Sequence, residues 1–150
     1  MKDTTKEILR KFGWYEGRDV NIDAIIKYYE TGTDIVFEPV KKFLREFGFL
    51  RIDTEDLINY DTDKYGNRMK EIDTREIDIN PINFIIKKYY NDQMKDLEEE
   101  FNEKMMEVGI IESGMYRLAV SENGKVYYEE GFLADNFDDA WDKLVEHVYY

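Results

Sequence analysis

The side chains able to do chemistry in this chain are few in kind. There is one histidine, His147, and no cysteine among 150 residues, against 34 aspartates and glutamates. Without cysteine there can be no disulfide, no thiolate metal site and no thiol nucleophile. A zinc site would have to be built mostly from carboxylates, which is uncommon. The run Asp61-Thr62-Asp63-Lys64-Tyr65-Gly66 places Asp, Asp and Gly as a calcium loop would at its first, third and sixth positions. Its fifth position is Tyr65, and Ile72 stands where a bidentate glutamate is required, so the match fails. At this density carboxylate pairs of the kind used in glycoside hydrolysis must occur by chance, and no spacing singles one out. No Gly-Lys-Ser/Thr phosphate loop is present, and Ser113 and Ser121 lie outside any nucleophile-elbow pattern. His147 falls near the end of a C-terminal helix, where the helix dipole favours a cation, and a surface or capping role accounts for it. The expectation is a protein that is not an enzyme and uses neither metal nor cofactor.

What so many carboxylates can do is attract. The formal net charge of -13 argues against direct nucleic-acid binding and favours fast encounter with a basic protein. Three acidic clusters stand out. The first, Asp53, Glu55, Asp56, Asp61 and Asp63, falls in a stretch that also holds Tyr60 and Tyr65. The second, Glu98, Glu99, Glu100 and Glu103, reads as the wet face of a helix. In the third, Glu129, Glu130, Asp135, Asp138, Asp139 and Asp142, two members sit in the first turn of a helix, where negative charge is favourable. Tyrosine among loop carboxylates suits an interface, because it buries area while keeping a polar tip. Candidate partner contacts are therefore Tyr60, Asp61, Asp63, Tyr65, Glu129, Glu130 and Asp135, all in expected loops or strand ends.

These residues need a scaffold, and the apolar pattern supplies one. A composition of 43% hydrophobic and 15% aromatic residues can build a core, and 150 residues suggest one domain over 1–150. Ile8, Leu9 and Phe12 form a short helical stripe after Thr4 or Thr5, stopped by Gly13. A second helix is expected from Asn21 to Thr31, with Ile22, Ile25, Ile26 and Tyr29 inward. A third opens on Pro39 and runs through Val40, Phe43, Leu44 and Phe47 to Gly48, read as a left-handed C-cap. Phe49 to Ile52 and Lys70 to Ile79 read as strands, with Asp53 to Arg68 as the loop between them. Pro81 leads into a helical or mixed segment holding Phe84, Ile85, Ile86, Tyr89 and Tyr90. A helix over Asp92 to Glu107 would put Met94, Leu97, Phe101 and Met105 on one stripe. Val108 to Glu112 opens a terminal sheet. Met115 to Ser121 and Lys125 to Glu130 form a hairpin about Asn123-Gly124, a turn expected to need positive φ at both residues. Asn136 caps a last helix carrying Phe137, Trp141, Leu144, Val145 and Val148. The result is an α+β fold, with N-terminal helices packed on a mainly antiparallel sheet and a closing C-terminal helix. The first residues carry charge with no apolar run after them, and no segment approaches a membrane span, so a soluble cytoplasmic protein is expected.

Gly13-Trp14-x-x-Gly17-Arg18-x-Val20, followed by Val40-x-x-Phe43-Leu44-x-x-Phe47-Gly48-x-Leu50, resembles the SUKH superfamily and, more narrowly, its third immunity-protein branch. Val108-Gly109, Asn123-Gly124-Lys125-Val126-Tyr127 and Phe137-Asp138-Asp139-Ala140-Trp141-x-x-Leu144 follow in the expected order. Asp53 to Glu107 matches little, and Tyr15-Glu16-Gly17 lacks the proline expected between Trp14 and Arg18. The resemblance implies a non-enzymatic immunity protein that binds a cognate bacterial toxin domain. Many such toxins are nucleases or deaminases with basic clefts, which an acidic protein would occlude. In that reading Trp14, Phe43, Leu44, Phe47 and Leu50 pack the core, and Arg18 pairs with a carboxylate or caps a turn. The alternative is a regulatory or scaffolding module of the same fold with a house-keeping partner.

Overall fold

Residues 1–32, 35–62, 65, 68–83 and 91–149 are described by the computed structural model of the protein. They form five helices, α1 (Asp3–Lys11), α2 (Asp23–Thr31), α3 (Glu38–Phe47), α4 (Asn91–Phe101) and α5 (Phe137–Glu146). Six strands, β1 (Arg51–Thr62), β2 (Arg68–Asp78), β3 (Met105–Ile111), β4 (Tyr116–Ser121), β5 (Val126–Tyr128) and β6 (Gly131–Ala134), pair antiparallel in chain order. This is the expected α+β architecture, with the N-terminal helices on the sheet and α5 closing it.

Strand alternation divides the side chains between two layers. Leu118 and Val120 of β4 join the main core with Val40, Phe43, Leu44 and Phe47 of α3 and Trp141 of α5. Ala119 points the other way and packs with Met94 and Leu97 of α4. The stripe read across Met94, Leu97, Phe101 and Met105 does converge there, but not on one helix. α4 ends at Phe101, Asn102 takes φ 51°, and Met105 returns from the first residue of β3.

α3 forms as expected. Glu38 and Pro39 open it, and Val40, Phe43, Leu44 and Phe47 fall at i, i+3, i+4 and i+7, each 1% exposed or less. Its end corrects the reading of Gly48. That residue has φ -57°, not a left-handed value, and the positive φ of 64° belongs to Phe49. Glycine is required for space: a Cβ at position 48 would lie 2.3 Å from the Leu44 carbonyl oxygen. The Gly48 N–H donates to that oxygen at 2.7 Å, and Phe49 N–H then donates to Ile79 O at 2.7 Å, carrying the chain from helix to sheet. Arg18 closes the helix end, donating to Glu46 O at 2.6 Å and Gly48 O at 2.9 Å. Trp14, 3% exposed, is in the core as expected.

Other boundaries move for identifiable reasons. α1 starts after Lys2, not after a threonine cap, because Thr5 is fully buried and donates its hydroxyl proton to Asp142 Oδ1 at 2.7 Å. β1 continues through Asp53–Thr62, where a loop was expected. At the hairpin, Gly124 N–H donates to Ser121 O at 3.0 Å, and only Gly124 has positive φ (81°), so the reversal is a three-residue loop. Asn136 caps α5 as expected, its Oδ1 accepting from Asp139 N–H at 2.8 Å. Val148 lies beyond the helix and is 40% exposed, not on its buried face. β6 was not foreseen. The segment Phe84 to Tyr90 lies outside the described residues.

Replacing Gly48 with alanine is expected to lower unfolding free energy by roughly 1–3 kcal/mol in urea titrations, the usual cost of forcing atoms into an occupied space. Phe49→Gly, which relieves the positive φ but gives up a 43% exposed ring, should cost less. Equal midpoints for Gly48→Ala and the parent would show that α3 can shift away from the added methyl.

Candidate partner-binding surface

The longest element in the sheet is the β1–β2 ribbon. β1 is in register with β2 continuously from Arg51↔Asp78 to Asn59↔Lys70, whereas β2 meets β3 only at Asp78↔Ile110. The ribbon therefore runs on past the sheet that anchors it. A two-stranded ribbon is marginal alone, so its root must be held.

The hold is polar. Thr54 Oγ1 donates to Arg75 O at 3.2 Å and stands 2.8 Å from His147 Nε2. His147 Nδ1 is 2.8 Å from Glu112 Oε1, and Arg75 Nη1 is 3.0 Å from Glu112 Oε2. Tyr149 OH also donates to Glu112 Oε1. Ser113, next to Glu112 in a short 3-10 turn, accepts from Glu76 N–H at 3.1 Å. What turns the imidazole inward is the left-handed conformation of His147 (φ 56°), which reverses the chain at the end of α5. This is the C-cap position expected for the histidine, but the ring is buried, with 6% of its side chain exposed, not at the surface. Carboxylate, imidazole and hydroxyl stand in the order of a hydrolase triad. Thr54, however, is only 4% exposed and its proton goes to the Arg75 carbonyl, so the group acts as a clasp.

Two further networks lie on the sheet face that carries Ala119. Arg117, on the same side of β4, donates to both Glu107 carboxylate oxygens at 2.6 and 2.7 Å. Its backbone N–H donates to Glu129 Oε1 at 3.0 Å. Burial pushes the Glu129 carboxyl up, against the pull of Arg117. Glu103, expected on a wet helix face, is instead 8% exposed beneath the hairpin. It accepts from Ser121 Oγ at 3.2 Å, from Asn123 Nδ2 at 2.6 Å and from Tyr127 OH. Burial opposes its charge, but the three donors outweigh it and hold the carboxyl below its ordinary value; burial and Glu103 together push the Tyr127 phenol up.

The sequence-derived contact residues fall in different settings. Tyr60 and Asp61 lie in β1, not in a loop; Asp63 lies outside the described residues; Tyr65 is 76% exposed near the end of the ribbon. Glu129 is engaged by Arg117, while Glu130 beside it is exposed. Asp135 is exposed and lines an open cleft of about 240 Å3 with Phe132, Asp139, Asp142 and Lys143. Phe132, 38% exposed, meets Tyr127 edge-on at 5.6 Å. A second open cleft of about 570 Å3 runs between Pro39, Lys42 and Arg45 of α3, Gly124, and the start of α5. Among the described residues no three acidic, histidine or cysteine side chains group to hold a metal, and no helix is long and apolar enough to cross a membrane.

Polar groups bonded within the fold and carboxylates at the surface define an acidic α+β protein. The SUKH-3 immunity protein family model matches residues 1–147, and the chain belongs to that family. Comparison with curated proteins and with solved structures gave no significant match.

Glu103 carries a pH prediction. Its folded carboxyl titrates below the ordinary 4.5, so the stability it contributes is present above that value and lost as pH falls through the folded one. Glu103→Gln should cost about 1–2 kcal/mol at neutral pH, with the gap to the parent closing in acid; a constant gap down to about pH 3 would contradict the assignment. Glu112→Ala, which removes the carboxylate that Arg75, His147 and Tyr149 share, should cost about 3 kcal/mol in the same denaturation assay; a change below about 0.5 kcal/mol, the usual range of surface sites, would deny the clasp.

Proposed function

We propose that this protein is a non-catalytic immunity protein that neutralises a cognate bacterial toxin domain in the cytoplasm by covering its basic active cleft. The observation that carries the reading is the family membership of residues 1–147 together with a net charge of -13. Burial accounts for part of that charge: Glu103, Glu107, Glu112, Glu129 and Asp142 all bond within the fold. Glu122, Glu130, Asp135, Asp138 and Asp139 remain exposed. A toxin that cleaves or deaminates nucleic acid needs a cationic cleft for phosphates, and exposed carboxylates on a rigid frame supply the complementary charge. A nuclease or deaminase is thus the class of toxin proposed. The contact set is Tyr60 and Asp61 of β1, Tyr65 near the end of the ribbon, Asp63 between them in the sequence, and Glu130 and Asp135, which precede and follow β6. Glu129 is included as the residue whose bond to Arg117 sets the course of the chain into Glu130.

The test is capture of partners by the tagged full chain from its source cells, eluted with rising salt. A basic toxin-like domain released at raised salt is the expected result, and recovery of house-keeping proteins alone from cells shown to make a candidate toxin would overturn the reading. With that domain in hand, Asp61→Lys/Asp63→Lys and Glu130→Lys/Asp135→Lys should each slow association on the order of tenfold at low salt, with a smaller effect at high salt. Association rates indifferent to both pairs and to salt would rule out acidic contact.

A further inference from the structure

β1 ends the strand order and, among the described residues, pairs on one side only, with β2. It is 12 residues long, about twice the usual strand. The opposite edge, β6, has four residues. A long edge strand presents a row of unpaired backbone donors and acceptors, and proteins normally shorten, cover or charge such an edge. Here the device is charge of one sign. β1 holds Asp53, Glu55, Asp56 and Asp61 against the single cation Arg51, and Arg51 is itself bonded across the ribbon to Glu76 at 2.7 Å. The other cations of the ribbon, Arg68, Lys70 and Arg75, stand on β2, interspersed with Glu71, Asp73, Glu76 and Asp78.

That distribution selects among strands that could add to the edge. A second copy of β1 would bring carboxylate opposite carboxylate, which is destabilising in cross-strand positions. An extended segment rich in lysine or arginine would gain the backbone ladder and opposite-charge pairs together. The clasp at Thr54, Arg75, Glu112 and His147 fixes the root of the ribbon, which lowers the ordering cost of such an addition. We propose that the free edge of β1 is a strand-addition site for an extended cationic segment of the partner protein. The proposal rests on the reading of a basic protein partner and assigns where and how that partner docks.

The experiment measures amide hydrogen exchange in the intact protein with three synthetic twelve-residue probes, alternating lysine with valine, lysine with proline, and glutamate with valine. The lysine–valine peptide should slow alternate amides between positions 52 and 60 by about tenfold or more, as newly formed ladder bonds do. The other two should leave them unchanged, since one cannot form a ladder and the other carries the wrong charge. Absence of protection in β1, or equal effects from the lysine–proline peptide, would overturn strand addition. Asp53→Lys/Glu55→Lys should move the preference toward the glutamate–valine peptide, with unchanged exchange in β3–β5 showing that it folds; the parent protein's response to the three probes stands without it. Capture of a toxin whose complex leaves β1 unprotected would sink this proposal and keep the immunity reading. Peptide protection without any toxin would do the reverse.

Discussion

The fold depends on the burial of Trp141. Its ring lies parallel to Phe43 at 6.4 Å between centroids and 5.1 Å from Phe47, and Phe137 meets Phe43 edge-on at 5.1 Å. Through these contacts α5, near the C-terminus, is fastened to α3, while α3 packs on β4 and α5 on β6. The indole Nε1 is buried without a hydrogen-bond partner among the described residues. An unmet donor costs on the order of 1–3 kcal/mol, so the aromatic contacts must outweigh it, and the stacked pair with Phe43, the tilted pair with Phe47 and a large buried area are of the size required. The same junction sets the start of α1, because Asp142, the next residue on α5, accepts from Thr5 and Lys2.

A second constraint is the excess of negative charge. A chain with 34 acidic residues and 21 basic ones cannot pair them all, and repulsion in the compact state has to be managed. Each buried carboxylate described above has specific donors: Arg117 for Glu107 and Glu129, a phenol, an amide and a hydroxyl for Glu103, and Arg75 with Tyr149 and His147 for Glu112. Others, among them Glu122, Glu130, Asp135, Asp138 and Asp139, are exposed. A surface so charged resists self-association and attracts the opposite sign, which fits the basic partner proposed above.

How much of this was legible in the sequence depended on whether the core or the polar groups decided each element. α3 and α5 were legible because proline, a cap residue and apolar positions at helical spacing agree there. The order of the family motifs was legible for the same reason, since those motifs are packing residues. The length of β1 was not: Asp53 to Thr62 reads as an acidic loop, because a ribbon that projects past its sheet has little apolar surface to bury and shows weak alternation. Glu103 looked solvated because it follows three glutamates, yet its place is fixed by Tyr127 and Asn123, some twenty residues downstream. Gly48 reads as a left-handed cap because that is the commonest use of glycine after a helix, whereas its close approach to the Leu44 oxygen depends on how the helix end turns into the sheet.

The candidate surface was legible in chemistry more than in geometry. Tyr60 and Asp61 read as loop residues in the sequence, but their setting is strand β1. That difference has a physical consequence. Side chains on a loop reach a partner through mobile backbone and lose entropy on binding, whereas positions along a paired strand are spaced and aligned beforehand. His147 makes the alignment possible. Placed one residue past α5 in a left-handed turn, it brings its imidazole between Glu112 and Thr54 and so couples the C-terminal helix to the root of the ribbon. The one residue that invited a catalytic reading on chemical grounds thus contributes by position, tying the end of α5 to Thr54 and Glu112 at the root of the ribbon.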